Sequence, residues 1–216
     1  MKTRKHDTHW MVGVALMSAV IVLLASTPLG MIQTPLIKAT TTHIPVILGA
    51  ILFGPMAGGI LGAVFGICSM VSNTVSPTLL SFAFSPFLAE DLPGVLKALW
   101  ISVGCRICIG VAAGWLWRGL KALKLPDLAA LPVVGFIGSM VNTVLVMGSI
   151  YVLLARQYAE AKQVAISAVF GLIMGTVTGA GIMEAIAALV LVAAIGKPLL
   201  RALQRLQSGG SHRVSQ

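Results

Sequence analysis

Two ionisable side chains lie deep inside apolar segments of this sequence. Arg106 lies within the run from Val95 to Leu120, and Glu184 lies within the run from Val164 to Ile195. A charge at the centre of a bilayer costs about 2.5 to 3.5 kcal/mol on insertion scales, so neither side chain is expected to face lipid. Two arrangements fit: a buried ion pair that joins two helices, or a cavity open to the outside in which Arg106 or Glu184 meets polar groups of a solute.

Further polar residues favour a cavity toward one end of the predicted helices. They are Asn142 near the middle of a later apolar run, Ser69 and Asn73 toward the end of an earlier one, and Thr42 and His43 just before another. A few polar groups inside aliphatic walls are typical of a small-molecule pocket. The alternative for His43 is an interfacial hydrogen bond, and serines and threonines often bond the backbone of their own helix.

Catalytic and metal-binding patterns are absent from the sequence. There is no H-E-x-x-H and no G-x-S-x-G, and no aspartate lies in an apolar run. Cys105-x-x-Cys108 has neither a second cysteine pair nor a nearby histidine, so these cysteines are predicted to be packing residues. Without a phosphate-binding G-x-x-x-x-G-K-[ST] loop, any use of ATP needs another subunit. We therefore expect neither an enzyme nor a bound metal or cofactor.

The composition requires lipid as the main solvent. Of the 216 residues 57% are hydrophobic and only 10% are charged, and the mean hydropathy is +0.98. A helix needs about 20 residues to cross the hydrocarbon layer, so this length accommodates six crossings. The predicted spans are Trp10 to Pro28, Ile44 to Gly54, Pro55 to Val71, Val95 to Leu120, Pro132 to Leu154, and Val164 to Ile195. We expect one domain over residues 1–207 and a disordered cytoplasmic tail over 208–216.

Charge decides whether the chain reverses at Gly54-Pro55 or continues as one tilted helix. A reversal gives six spans and places ten of the fifteen lysines and arginines on the side of both termini. These ten are Lys2, Arg4, Lys5, Arg118, Lys121, Lys124, Lys197, Arg201, Arg205 and Arg213. Basic residues of membrane proteins gather on the cytoplasmic side, so both termini are predicted to be cytoplasmic. The net charge of +9 is explained in this way, without nucleic acid.

Two long connections on the outer side are predicted to form a lid or gate. They cover residues 29–43 and 72–94 and mix polar, aromatic and proline residues. The alternative is that Phe82, Phe84 and Phe87 anchor the second connection in the membrane interface.

Small residues recur four positions apart on three spans, which lets helix backbones approach closely in lipid. Two of these patterns are predicted to pack within the bundle, and the third to face either the bundle or a partner subunit. In that order they are Gly58-x-x-x-Gly62-x-x-x-Gly66, Gly171-x-x-x-Gly175-x-x-x-Gly179 and Ala15-x-x-x-Ala19.

The stretch from Thr42 to Pro55, THIPVILGAILFGP, followed by the glycines of the third span, resembles the substrate-binding S components of energy-coupling factor (ECF) vitamin transporters. Pro77-Thr78 and the segment SFAFSPF from Ser81 to Phe87 are similar to the next loop of the pantothenate-type members. The resemblance implies an all-α fold of six transmembrane helices in the bacterial cell membrane.

The resemblance further implies a subunit that captures a vitamin and docks on a transmembrane T component with two ATPase subunits. Ala15 and Ala19 match the motif that docks on the T component. The loop from Leu29 to His43 matches the lid that closes over bound vitamin, and the stretch from Ser72 to Phe87 matches the second wall of the outer pocket. A pantothenate-like carboxylate would suit Arg106, and its hydroxyls would suit Asn142 or Asn73. A stand-alone permease is the alternative, although the inverted repeats typical of such proteins are not evident. The candidate solute-binding residues are Thr42, His43, Ser69, Asn73, Phe82, Phe84, Ser85, Arg106, Asn142 and Glu184.

Overall fold

The computed structural model describes residues 8–27, 30–33, 38–89 and 91–211, which form six helices and one short β-hairpin. The helices are α1 Thr8–Ala25, α2 His43–Phe53, α3 Pro55–Val75, α4 Leu92–Ala122, α5 Asp127–Lys162 and α6, which begins at Ile166 and ends at Ser211. Strands β1 Met31–Gln33 and β2 Lys38–Thr40 pair antiparallel between α1 and α2.

The chain reverses at Gly54, as the charge pattern predicts. Gly54 has φ +92°, a conformation that favours glycine, and Pro55 occupies the first turn of α3, where no backbone donor is needed. The two helices then pack side by side, because a Cβ on Gly58 of α3 would lie 2.7 Å from the Cβ of Ala50 in α2. The alternative of one tilted helix is therefore wrong.

Helix α2 lies at the centre of the bundle. Nine of its eleven residues are buried, and its length of about 16 Å is shorter than the roughly 30 Å hydrocarbon layer. The other five helices are long and apolar enough to cross a membrane. The six predicted spans are thus six helices, of which α2 is a short buried one enclosed by its neighbours.

The long helices α4, α5 and α6 are each irregular near the same end of the bundle. Helix α4 contains a π-helical turn at Trp100–Gly104, and α6 contains one at Val177–Gly181. Helix α5 bends at Leu154, whose φ is −135°. This helix also begins at Asp127, so Pro132 lies inside it instead of starting it. Such π-helical turns shift the register of a helix and often occur at functional sites.

Both described ends of the chain lie at the end of the bundle that contains Gly54. The Trp10 indole near the start of α1 donates a hydrogen bond of 3.0 Å to the carbonyl of Phe53. Leu200 near the end of α6 packs against the cluster that contains Ile51, Ala113 and Leu131. The predicted tail begins at 208, but α6 continues to Ser211 and residues 212–216 lie outside the described part.

One of the two glycine patterns packs as predicted. A Cβ on Gly62 of α3 would overlap the carbonyl of Arg106 in α4, and one on Gly110 of α4 would overlap the carbonyl of Gly58. The prediction for α6 is wrong: Gly171, Gly175 and Gly179 are exposed, and a Cβ on any of them would meet nothing within 4 Å. The spacing is the same, but this stripe faces away from the bundle.

Candidate functional site

A cavity between α4, α5, α6 and the connection 76–91 brings together four of the predicted site residues. Arg106 comes from α4, Asn142 from α5, Glu184 from α6 and Phe84 from the connection. The remaining lining residues are Thr143, Val146, Met147, Thr176, Ala180 and Gly181. Charged, polar and apolar groups therefore surround one space that extends from Arg106, near the middle of the bundle, to the connection 76–91.

Arg106 dominates the chemistry of this cavity. Its side chain is only 4% exposed, and its Nη1 donates a hydrogen bond of 2.8 Å to the side-chain oxygen of Asn142. The guanidinium carbon lies 4.8 Å from the ring centre of Phe65 and 5.9 Å from that of Phe84. Its Nε is buried and has no hydrogen-bond partner among the described residues. A buried donor of this kind is costly to leave unpaired, so it favours an acceptor in the cavity.

Glu184 contributes the negative charge of the cavity. It is partly exposed, and it interacts electrostatically with Arg106 across the space between α6 and α4. The sequence left open whether these two groups form an ion pair or line a solute cavity. Both groups line one cavity, and one hydrogen bond from the guanidinium goes to Asn142.

The cavity has a volume of about 50 Å³ in this structure. That space admits a few water molecules, whereas sites for drug-sized ligands measure roughly 300 to 1,000 Å³. A solute the size of a vitamin therefore needs at least one wall to move. Among the described residues that line the cavity, Phe84 is the only one that belongs to a connection instead of a long helix.

Ser69, Asn73 and Ser85 lie outside this lining and form a hydrogen-bonded network between α3 and the connection. The Asn73 amide nitrogen donates to the carbonyl of Ser69 at 2.8 Å, and its side-chain oxygen accepts from the hydroxyl of Ser81 at 2.8 Å. The hydroxyls of Ser85 and Thr74 hydrogen bond at 2.7 Å. These residues fasten the connection to α3.

Thr42, His43 and Phe82 also lie outside the lining. The buried hydroxyl of Thr42 donates to the carbonyl of Gly30 at 2.8 Å and so closes the first outer connection, and the buried His43 begins α2. Phe82 packs against the apolar cluster around Leu80 and Tyr158. Phe87 is 74% exposed, so of the three phenylalanines it fits the anchoring alternative best.

Six of the ten described residues that line the cavity were not predicted from the sequence. Val146 lies four positions after Asn142, and Met147 lies four positions after Thr143, so these residues form two adjacent rows along α5. This helical spacing could have identified them as lining residues from the sequence. Thr176, Ala180 and Gly181 were harder to find, because the π-helical turn at Val177–Gly181 changes the register of α6 just before Glu184.

Comparison with known proteins defines the class. The family model described as "ECF transporter, substrate-specific component" matches residues 9–196, so the chain belongs to this family. It is a multi-pass protein of the cell membrane and a transporter subunit, not an enzyme, and it works with an ECF module.

One curated relative is named for its solute. The chain is 32% identical over 168 residues to the pantothenic acid transporter PanT of Lactococcus lactis subsp. cremoris, strain MG1363. The match covers 77% of this chain and 80% of the relative.

Proposed function

We propose that this ECF substrate-specific component binds pantothenate in the cavity lined by Arg106. The relative named for pantothenic acid transport points to this solute, and the chemistry of the cavity is compatible with it. Pantothenate has one carboxylate, an amide, two hydroxyls and two methyl groups. The carboxylate, the hydroxyls and the methyl groups each have a matching partner in the cavity wall.

The observation that carries the proposal is the unpaired Nε of Arg106. With Nη1 already bonded to Asn142, the Nε edge of the guanidinium is the one left for a carboxylate. Arginine and carboxylate form paired, charge-assisted hydrogen bonds of this kind, which are stronger than neutral ones. The rings of Phe65 and Phe84 shield the guanidinium from bulk water and so strengthen the attraction.

The opposite wall suits the rest of the solute. The carboxylate of Glu184 and the hydroxyl oxygens of Thr143 and Thr176 accept hydrogen bonds from the two solute hydroxyls. Val146 and Met147 offer an apolar surface to the methyl groups. Of the other candidates, Thr42, His43 and Phe82 lie outside the cavity lining, so we do not propose a solute contact for them.

Mass spectrometry of small molecules retained by the detergent-purified chain tests the solute directly. Pantothenate is expected in the retained fraction of protein expressed in a rich medium. A different vitamin in its place would overturn the assignment and leave the family membership intact.

Asn142→Asp is expected to lower the affinity for pantothenate more than tenfold. The substituted side chain still accepts the bond from Nη1, but its negative charge neutralises the guanidinium and repels the solute carboxylate. Isothermal titration measures the effect. The alcohol analogue, in which CH₂OH replaces the carboxylate, should bind the variant and the parent within about threefold of each other. Pantothenate affinity within twofold of the parent would show that Arg106 does not bind the carboxylate.

For the partners, we propose a transmembrane T component and two ATPase subunits, with both termini of the chain in the cytosol. Arg118, Lys121 and Lys124 lie at the Gly54 end of the bundle, which is therefore the cytoplasmic end by the positive-inside rule. The cavity then opens toward the exterior. Reporter tags on the two termini test this orientation, and a tag detected outside the cell would contradict it. Uptake by the purified chain alone, driven by an ion gradient, would instead favour the stand-alone permease.

Replacing both Ala15 and Ala19 by leucine is expected to abolish uptake without changing solute binding. Both alanines are exposed on α1, of which only Val14 and Ile21 are buried, so the face is free for a partner helix. Leucine side chains would hold that helix away. Uptake of labelled pantothenate into vesicles containing the whole transporter should fall more than tenfold.

The matched control carries the same substitutions at Ala187 and Ala194, which are exposed on α6. This control should keep normal uptake. Equal loss of uptake in both variants, or loss of solute binding in the α1 variant, would argue against docking through α1.

A further inference from the structure

Two hydrogen bonds fasten the connection 76–91 to α3 on either side of Phe84. Three residues before Phe84, the hydroxyl of Ser81 donates to the side-chain oxygen of Asn73 at 2.8 Å. One residue after Phe84, the hydroxyl of Ser85 pairs with that of Thr74 at 2.7 Å. Ser81 and Ser85 are 1% and 0% exposed, so water does not compete for either bond in this state.

The first bond, from Ser81 to Asn73, belongs to a chain of three hydrogen bonds. In each of them the donor and the acceptor are known. The backbone N–H of Thr78 donates to the Ser81 hydroxyl at 2.7 Å, and that hydroxyl donates onward to Asn73. The Asn73 amide nitrogen in turn donates to the carbonyl of Ser69 within α3. The orientation of the Asn73 side chain is therefore set by its own helix, and the connection binds to a fixed acceptor.

Phe84 is the element that these bonds position. Its ring lines the cavity and lies 5.9 Å from the guanidinium carbon of Arg106. The same ring packs against the apolar cluster that contains Leu80, Ala83 and Met147. With Phe84 in this place the cavity measures about 50 Å³, too little for a vitamin.

We propose that the pairs Ser81–Asn73 and Ser85–Thr74 form a latch that holds Phe84 over Arg106, and that the latch opens for a solute to enter or leave. Ser81, Ser85, Asn73 and Thr74 are thus positioning residues and make no contact with the solute. The identity of the solute rests on the proposed function, but the latch itself does not.

A ligand-free experiment tests the latch. In a protein whose three native cysteines are replaced by serine, Met147→Cys places a thiol in the cavity wall, where a small water-soluble thiosulfonate reports its accessibility. Ser81→Ala and Ser85→Ala are each expected to speed modification about five- to tenfold, because each loses one buried hydrogen bond that favours the closed state. Ser26→Ala is the control, since within the described part of the chain the exposed hydroxyl of Ser26, just after the end of α1, bonds only the carbonyl of Val22. This control should leave the rate unchanged.

The same substitutions combined with Phe84→Ala separate a latch from general loosening. Phe84→Ala should itself speed modification of the thiol at position 147. Adding Ser81→Ala should then have little further effect on that rate, because the phenylalanine ring that the latch positions has been removed. Additive effects, or no effect of Ser81→Ala on its own, would overturn the proposal. The dissociation rate of labelled pantothenate should rise in parallel with the rate of modification. If the modification rates change as expected but the protein does not bind pantothenate, the latch is supported and the assignment of pantothenate as the solute is wrong.

Discussion

Arg106→Ala is expected to weaken pantothenate binding at least a hundredfold. The substitution removes the only buried positive charge among the described residues and the unpaired Nε donor in the cavity. Hydrogen bonds to charged groups contribute about 1.5 to 3 kcal/mol each, and a hundredfold change corresponds to about 2.7 kcal/mol. Equilibrium binding of radiolabelled pantothenate to the purified variant measures the loss.

Two further variants show whether the loss comes from the carboxylate contact. Arg106→Lys keeps the charge but not the planar pair of donors, so its affinity should lie between those of the parent and Arg106→Ala. Arg118→Ala removes an exposed arginine stacked on Trp115 near the other end of the same helix and should bind normally. If Arg106→Ala lowers the folded yield as much as it lowers binding, the arginine serves the structure of the bundle instead of the solute.

Gly110→Ala is expected to be the most damaging small substitution in the bundle. Its Cβ would overlap the backbone carbonyl of Gly58, and backbone cannot move aside as a flexible side chain can. Overpacking of this kind costs about 1 to 3 kcal/mol or more in free energy of unfolding. At this chain length a loss of about 3 kcal/mol corresponds to a fall of roughly 6 to 12 °C in melting temperature. Thermal unfolding in detergent, followed by aggregation or fluorescence, gives the measurement.

Gly175→Ala is the matched control for that prediction. It makes the same change in an equally apolar helix, but its Cβ would meet nothing within 4 Å. Alanine is also a better helix former than glycine, so the melting temperature should stay the same or rise slightly. Equal destabilisation at Gly110 and Gly175 would mean that α6 packs against the bundle through its glycines after all.

The chain reversal at Gly54 and the placement of Arg106 and Glu184 in one cavity were predictable from the sequence. Both follow from the cost of placing charged residues in lipid. A bilayer does not tolerate an isolated charge on a lipid-facing surface, so two ionisable residues at similar depth in different spans must point inward. The glycine and proline at 54 and 55 gave the turn, and the distribution of lysine and arginine selected it over one long helix. No details of side-chain packing were needed for either prediction.

The failed prediction for Gly171, Gly175 and Gly179 shows the limit of spacing alone. A stripe of glycines marks a helix face that another helix can approach, but it does not say whether the neighbour belongs to the same chain. The roles of Asn73 and Ser85 were also out of reach of the sequence. Their partners lie eight and eleven residues away across an irregular connection, and such geometry is set by tertiary packing.

The central claim is that the cavity around Arg106 recognises the carboxylate of pantothenate. Titration of the purified chain with pantothenate and with its alcohol analogue compares two solutes that differ mainly at that group. We expect pantothenate to bind at least tenfold more tightly than the alcohol. Equal affinity for the two, or no binding of pantothenate at all, would contradict it.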